Sequence, residues 1–541
     1  MNRWTFAVLI AAAPVALAQS TGPLPPLTAQ VEVRVVNVDV SVTDKNGVPV
    51  PGLTKDDFQI FEDGKLQKIT NFALVNSNAE PAAAPVKPVT AADNRRRMLL
   101  IIDNNYLSIR DRNRAIEAIE KYLDASFSGE WAVAAVGHSV DMLQTFTSDK
   151  ALIHEALAKA RKMGSNEEQA RIDRSVLSER YVRSNDTLLP PDYQAKIDFT
   201  AQEQSFRNLL TMQNTARAVV DTARSYSAEG GKKFIVLLTG GMEINTTFTA
   251  FQDPQDSKEL EEIQLQTAQI CDAMVREANA ANFTVHVVNA RTREMAAPQH
   301  DVTNRSSGIN TANLLRDFHP SPIDVSDRDS IPLSIALGTG GMYLPSNDLT
   351  GSIQKIDATT SNFYSLGYSP GHSGDRQYHT IKVRVNRSGV RVASRVGYYD
   401  QTPDDRLEEM LRTRLEYEPG FGTLPVALQV GSPGPAAKER DLIVPITAEM
   451  PLSKITVIPR DQNLVGRVHV YCSVFDENGQ NVGFTHQTQE VSMPQNVAQG
   501  GGDFRYTVRV HLKKGEAFTV VITLRDELSN EIGSKTQAVH L

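Results

Sequence analysis

The sequence predicts an α/β protein: a doubly wound, mostly parallel sheet with helices on both faces, flanked by all-β units and ended by a C-terminal β-sandwich. Three observations predict it. Between residues 96 and 360, apolar runs fit for strands buried on both faces alternate with amphipathic helical segments. On either side of that stretch the apolar period falls to two. The 541-residue length accommodates three to four domains at about 150 residues each.

The elements follow in chain order. Residues 1–18 read as a signal peptide: Asn2-Arg3 supply a positive start, Phe6 to Ala18 an apolar run, and Ala16-Leu17-Ala18 a cleavage site before Gln19. The run is shorter than the roughly 20 residues that span a bilayer, and no later stretch reaches that length. An exported protein is expected, periplasmic or extracellular, without a transmembrane segment. No cysteine follows the cleavage point, so no lipid anchor is expected either.

Residues 30–75 read as a small β unit. Val31, Val33 and Val35 alternate, then Val36, Val38, Val40 and Val42 continue after a one-residue slip read as a bulge. Asp44-Lys45-Asn46-Gly47 is expected to be a type I′ hairpin turn, and Glu62-Asp63-Gly64 a second turn. Residues 79–95, rich in Pro and Ala, form a linker, with Arg95-Arg96-Arg97 as its solvated end.

The α/β region spans 96–360. Met98 to Ile102 is a buried strand ending at Asp103, and Ile116, Ile119 and Leu123 mark the helix after it. Trp131 to Val136, Met142 to Phe146, Phe234 to Leu238, Phe283 to Val288 and Gly341 to Leu344 are further strands; Lys150 to Lys162, Glu259 to Ala281 and Ile331 to Leu337 are helical. An insertion, 165–230, is charged and helix-prone, and reads as a partner-recognition element. Its Gln202 to Tyr226 stretch, with Phe206, Leu209, Leu210 and Ala218, has enough apolar surface to dock.

Residues 362–400 are strands again (Phe363 to Tyr368, Tyr378 to Val385, Val390 to Val396) and are expected to complete a sandwich with 30–75, since either half alone is marginal. Asp404 to Tyr417 reads as a short charged helix or linker. Residues 421–541 alternate through about seven strands, as a β-sandwich does.

Composition limits the function classes. Fifty-six basic and 64 acidic residues give a net charge of −8, which argues against nucleic acid as a partner. Cys271 and Cys472 are too few and too far apart for a disulfide framework or a cysteine-based zinc site.

Several phrases together carry a resemblance. Met98-Leu-Leu-Ile-Ile-Asp103, Ala132-Val-Ala-Ala-Val136 and Phe234-Ile-Val-Leu-Leu-Thr239 resemble a von Willebrand factor type A domain. Val40-Ser-Val-Thr-Asp44, Gly52-Leu-Thr-Lys-Asp-Asp-Phe58, Phe61-Glu-Asp-Gly64, Leu143-Gln-Thr-Phe-Thr-Ser-Asp149, Thr339-Gly-Gly341, Tyr364-Ser-Leu-Gly-Tyr-Ser-Pro370 and Arg395-Val-Gly-Tyr-Tyr399 look more narrowly like the exported VWFA-related proteins of acidobacteria, over about residues 30–400. The resemblance implies a binding role more than an activity.

It also implies where a metal would sit. Type A domains typically hold Mg²⁺ through a D-x-S-x-S loop, a threonine from another loop and an aspartate after the fourth strand, because a hard dication wants several oxygens. Here Asp103 holds the first position, while Asn105 and Leu107 stand at the serine positions with Ser108 one further on. Thr239-Gly240-Gly241 lacks the later carboxylate. The site is therefore expected to be degenerate (Asp103, Asn105, Ser108, Thr239), with no metal and no cofactor. Combining Asn105→Ser, Leu107→Ser and Gly240→Asp is expected to restore affinity if a threonine equivalent lies near Gly164 to Asn166.

Other motifs carry less. Gly367-Tyr368-Ser369-Pro370-Gly371 matches G-x-S-x-G, but Pro370 has no N–H for an oxyanion hole and no helix follows. Gly230-Gly231-Lys232 lacks phosphate-loop spacing, and the eleven histidines are dispersed. Tyr364, Tyr368, Tyr398 and Tyr399 read as sheet packing. The expected function is a non-enzymatic interaction or adhesion module for a protein or envelope partner. The alternatives are a hydrolase or carbohydrate-processing protein with an unadvertised site, and a structural component of the envelope.

Overall fold

The computed structural model describes residues 35–45, 47–76, 96–170, 191–228, 231–242, 256–292, 328–345, 347–372, 374–413, 420–436, 441–460, 463–494 and 502–541. The signal peptide, the 79–95 linker and Val31 to Arg34, with most of the expected slip, lie outside the described residues. Two compact units divide the chain at residue 401/402.

The first unit opens with β1 (Val36–Thr43), β2 (Phe58–Glu62), β3 (Lys65–Gln67) and β4 (Ile69–Asn76). Val36, Val38, Val40 and Val42 are buried, as the two-residue period requires. The two turns differ in kind. Asp63 (φ 47°) and Gly64 (φ 77°) form the two-residue loop of the β2–β3 hairpin, both in the left-handed region that a type I′ turn needs. At Asp44 the type I′ expectation is overturned: Gly47 N–H donates to Asp44 O, Asp44 N–H donates to Val48 O, and Gly47 has φ 82°. That is a three-residue loop with a glycine bulge, tightened by Asp44 Oδ1 accepting from Val48 N–H at 2.9 Å.

The α/β body comprises β5 (Arg96–Asp103), α1 (Ile109–Ser126), β6 (Glu130–Val136), β7 (Val140–Thr147), α2 (Lys150–Arg161), α3 (Pro191–Arg224), β8 (Lys232–Thr239), α4 (Asp256–Ala280), β9 (Phe283–Asn289), α5 (Ser330–Gly338), β10 (Tyr343–Pro345) and α6 (Leu349–Ser361). The sheet runs β7-β6-β5-β8-β9-β10, parallel throughout except for antiparallel β7 at one edge. Alternate residues of β5 choose opposite faces. Met98, Leu100 and Ile102 pack with Ile116, Ile119 and Leu123 of α1, Ile153 and Leu157 of α2 and Ile353 and Ile356 of α6. Leu99 and Ile101 join the opposite core, with helices α3, α4 and α5. The fold is a doubly wound α/β body with helices on both faces.

Two sequence expectations fail here. Arg96 and Arg97 are not a solvated linker end. They begin β5 and are nearly buried: Arg96 Nη1 pairs with Asp357 Oδ1 at 2.5 Å and donates to Ser361, and Arg97 Nε pairs with Glu130 at 2.7 Å. Nor do all the residues expected to dock the 165–230 insertion do so. Leu209, Met212, Ala216, Val219 and Ala223 repeat at helical spacing and belong to the sheet core, at about 1.5–3 kcal/mol for each large side chain buried. Phe206 and Leu210, on the other side of α3, stay exposed. Helix α6, unassigned from sequence, is capped by Asp348, whose side chain accepts from Gly351 N–H.

After α6 the chain returns to the small sandwich as β11 (Asn362–Tyr368), β12 (Tyr378–Val385), β13 (Arg391–Ser394) and β14 (Gly397–Tyr399). One sheet is β13-β1-β11-β4 and the other β14-β12-β2-β3. The chain ends thus interleave: β1 sits between β11 and β13, and β2 pairs with β12. Val38, Val40, Ile60, Leu366 and Tyr368 fill the space between the sheets.

The second unit starts at α7 (Pro403–Thr413), with proline at the first helical position and a Thr402–Asp405 capping box. Strands β15 (Gly420–Gly422), β16 (Ala427–Val430), β17 (Gly434–Pro435), β18 (Asp441–Pro451), β19 (Ile458–Arg460), β20 (Asn463–Phe475), β21 (Asn481–Pro494), β22 (Asp503–Lys513), β23 (Ala517–Asp526) and β24 (Ile532–His540) follow. They form two sheets, one centred on β20 and β23 and the other on β18 and β22, around one core. Leu407, Met410 and Leu411 of α7 are buried, and Leu411 O accepts from Ser473 of β20, so the helix covers the outer side of that strand. Cys271 and Cys472 are free and buried, which pushes both thiols up to about 12 and leaves them inert.

Candidate functional site

In a doubly wound sheet, the crevice for a ligand opens where neighbouring strands send their connections to opposite faces. Here that point lies between β5 and β8. Asp103 ends β5 and Thr239 ends β8, and the fold brings the two together: Thr239 Oγ1 donates to Asp103 Oδ2 at 3.0 Å. The other oxygen, Oδ1, accepts from Asn105 N–H at 3.1 Å. Asp103 is fully buried, and the loss of hydration raises its carboxyl to about 7, with nearby Glu167 pushing the same way.

The remaining expected positions point elsewhere. Asn105 Nδ2 donates to Gly137 O and Thr215 Oγ1, while its carbonyl oxygen accepts from Asn166 Nδ2 at 2.7 Å. Leu107 is fully buried in the apolar core under α1. Ser108 is the N-cap of α1, accepting from Asp111 N–H at 3.1 Å. The segment 164–167 does reach this edge, with Asn166 N–H donating to Asn104 O, but it brings Ser165, Asn166 and Glu167 and no threonine.

Sequence reading missed what ties these loops together. Arg112 of α1 is fully buried and donates to Asn104 Oδ1, Gly164 O, Arg161 O and Met163 O at 2.8–3.1 Å. Its guanidinium thereby satisfies the orphan carbonyls at the end of α2. Glu167 sits 3.7 Å from Arg328.

Among the described residues, the crevice is closed where β8 meets the loop after β5. A Cβ at Gly240 would lie 1.8 Å from Tyr106 O and 2.9 Å from Tyr106 C. The condition set for the triple substitution, a threonine near Gly164 to Asn166, is not met, and its Gly240 step meets a steric obstacle. Aspartate cannot be placed at 240 without prising the loop after β5 off β8, and serine at 107 would put a hydroxyl into an apolar core. The donors present do not fit Mg²⁺: Asp103 is bonded through both oxygens, the Asn105 amide is already bonded, and Glu167, the other buried carboxylate at this edge, faces Arg328.

Two further groups gather histidines that the sequence disperses. In the small sandwich, His372 and His379 stack with ring centroids 3.8 Å apart and 15° between planes, next to Asp375. Nearly parallel rings aim their lone pairs along parallel lines, so they do not converge on one ion. In the C-terminal unit, His469 Nδ1 faces His486 Nε2 at 3.1 Å while the ring centroids are 5.3 Å apart, an end-on N–H···N hydrogen bond. Asp404, the third member, is already held by Arg525, whose Nε donates to Oδ1 at 2.9 Å, and a guanidinium on that oxygen opposes a dication. Sequence reading left these histidines dispersed, and Asp63, a partner of His379, lies 316 residues away in the chain. The tyrosines pack as expected: Tyr364 against Phe58 and Phe72, and Tyr399 edge-on to Tyr378. The G-x-S-x-G stretch leads from β11 to antiparallel β12, with no helix.

No protein-family model and no curated protein matches the chain. Among solved structures, an aerotolerance-related membrane protein from Bacteroides fragilis NCTC 9343 aligns at 11% identity and TM-score 0.23, over 49% of this chain and 98% of that one. BatB from Bacteroides thetaiotaomicron aligns at 13% identity and TM-score 0.22, over 49% and 98%. A von Willebrand factor type A protein from Catenulispora acidiphila aligns at 12% identity and TM-score 0.22, over 89% and 75%. Superpositions this loose carry no argument. The fold class rests on this chain's own strand order and register.

Proposed function

We propose that the protein is an exported, non-enzymatic interaction module that binds a protein or envelope partner through the surface of its α/β body, without a metal ion at the β5–β8 edge. The observation that carries this reading is the closed crevice. Where a doubly wound sheet usually sets its chemistry, Gly240 abuts Tyr106 O, and Asp103, Asn105 and Thr239 bond one another or their loops. Among the described residues, such an edge offers loop surface to a partner and leaves no space between β5 and β8 for a small substrate. Export rests on the N-terminal sequence alone. Among the described residues, no helix is long and apolar enough to cross a membrane.

The test is capture from an envelope extract on the immobilised full chain, with EDTA or with Mg²⁺, followed by cross-link mapping. The reading expects one enriched species, retained equally in both conditions, with cross-links to the loops after β5 and β8. Retention only with Mg²⁺, or cross-links confined to the C-terminal unit, would count against it.

A further inference from the structure

We propose that His379, sandwiched between Asp63 and Asp375 and stacked on His372, is a proton-operated clasp: it holds the β11–β12 connection (residues 369–377) onto the β2–β3 hairpin while protonated, and releases it when the proton leaves.

The hydrogen-bond count gives the clasp its charge. His379 Nδ1 lies 2.8 Å from Asp63 Oδ2, and Nε2 lies 3.1 and 3.2 Å from the two oxygens of Asp375. A neutral imidazole has one N–H, so it would turn a lone pair on one of these carboxylates; only the imidazolium donates to both. Asp63 is fixed from the other side, since Oδ1 accepts from Thr380 N–H and Thr380 Oγ1 at 2.8 and 3.0 Å. Asp375 caps its own loop, accepting from Gln377 N–H at 2.8 Å. The bond to His379 therefore joins the hairpin to a loop whose other ties run to Asp400, which accepts from Asp375 N–H at 3.2 Å and from Arg376 N–H at 3.1 Å.

The surroundings reinforce the charge. His372 covers the face of His379, and its Nδ1 lies 3.0 Å from fully buried Asp400 Oδ2. His372 Nε2 lies 3.5 Å from Glu62 Oε2, and the other Glu62 oxygen accepts from Tyr368 and Tyr398 at 2.6 and 2.8 Å. From β2 and its turn come Glu62 and Asp63, from the loop Asp375 and Arg376, from β14 Tyr398 followed by Asp400, and Lys65 stands opposite Glu62 across the hairpin. Four carboxylates thus face two imidazoles. The hydrogen bonds raise His379 above its usual 6.5 despite some burial, and they lower Asp63 and Asp375 below 3.8. For the histidine, the contribution is complete below pH 6.5 and disappears as pH rises through the raised folded value. For the aspartates it is present above 3.8 and disappears as pH falls through the lowered values. The clasp is closed between these limits.

The experiment is amide hydrogen exchange of the full chain across pH 5.5 to 9, corrected for intrinsic exchange rates, read at residues 374–380. Loss of charge-assisted bonds of this kind predicts a local opening constant about ten- to a hundredfold larger at the alkaline end, while β5 and β8 amides stay unchanged. His379→Gln should be open at every pH, and Asp375→Asn should flatten the pH dependence without unfolding the sandwich. Protection in the wild type that does not change with pH overturns the proposal. So does stoichiometric Zn²⁺ binding that restores protection at pH 9, which would make the cluster a metal site.

Discussion

Replacing Gly240 by alanine adds one methyl group where the β5–α1 loop crosses β8. The added carbon would lie 1.8 Å from Tyr106 O, well inside any contact distance. Neither side can yield cheaply. Leu107 N–H is bonded to Asp103 O and its side chain is core, while Ala290 N–H holds Thr239 O and Met242 N–H holds Arg328 O. Overpacking of a core costs about 1–3 kcal/mol, and a backbone clash with both partners tied belongs at the top of that range, about 3 kcal/mol. At 2–4 °C per kcal/mol for a large domain, the first unit should melt about 6–12 °C lower. Differential scanning calorimetry of the full chain reads this, with the second unit's transition as internal reference. Gly371→Ala is the control, because nothing lies within 4 Å of its added carbon, and a shift below about 1 °C is expected. If Gly240→Ala melts with the wild type, the crevice is open in solution and the argument for its closure fails.

Three further outcomes follow from the packing. Met212→Ala should cost the first unit about 2–4 kcal/mol, against less than about 0.5 for Phe206→Ala; equal effects in denaturant titration would return α3 to the status of an insertion. Arg112→Met should cost about 3–5 kcal/mol, since three carbonyls and Asn104 lose their donor, and Arg112→Lys should rescue little because an ammonium cannot fork across four acceptors. In the second unit, Arg525 and His469 hold Asp404 below 3.8, and the hydrogen bond from His469 lowers Glu527. That stability is present above the ordinary carboxylate range and is lost as pH falls through the lowered values; Asp404→Asn should flatten the acid limb of its melting temperature, and an unchanged limb would refute the assignment.

The fold was legible where one residue reports its own surroundings. Met98 to Ile102 shows double-sided burial in its composition, and Val36 to Val42 shows single-sided burial in its alternation. In α3 the docking surface was partly legible: Leu209 and Ala218 are buried as expected, but Phe206 and Leu210 face outward, and Met212, Ala216 and Val219 complete the apolar stripe. The candidate edge was half legible. Asp103 and Thr239 could be placed at strand ends, but nothing in Gly240 announces that a carbonyl from residue 106 fills the space its side chain lacks. Arg112 and His379 were missed because most of what holds them is assembled by the fold: backbone carbonyls at the end of α2 for Arg112, and Asp63, 316 residues away, for His379.

The central claim is that the β5–β8 edge is a closed joint bonded within the protein. Isothermal titration of the full chain with Mg²⁺ and with Mn²⁺ tests it most directly, alongside Asp103→Ala. A closed joint gives no saturable heat with either ion for the wild type. One-to-one binding in the micromolar range, lost in Asp103→Ala, would contradict it.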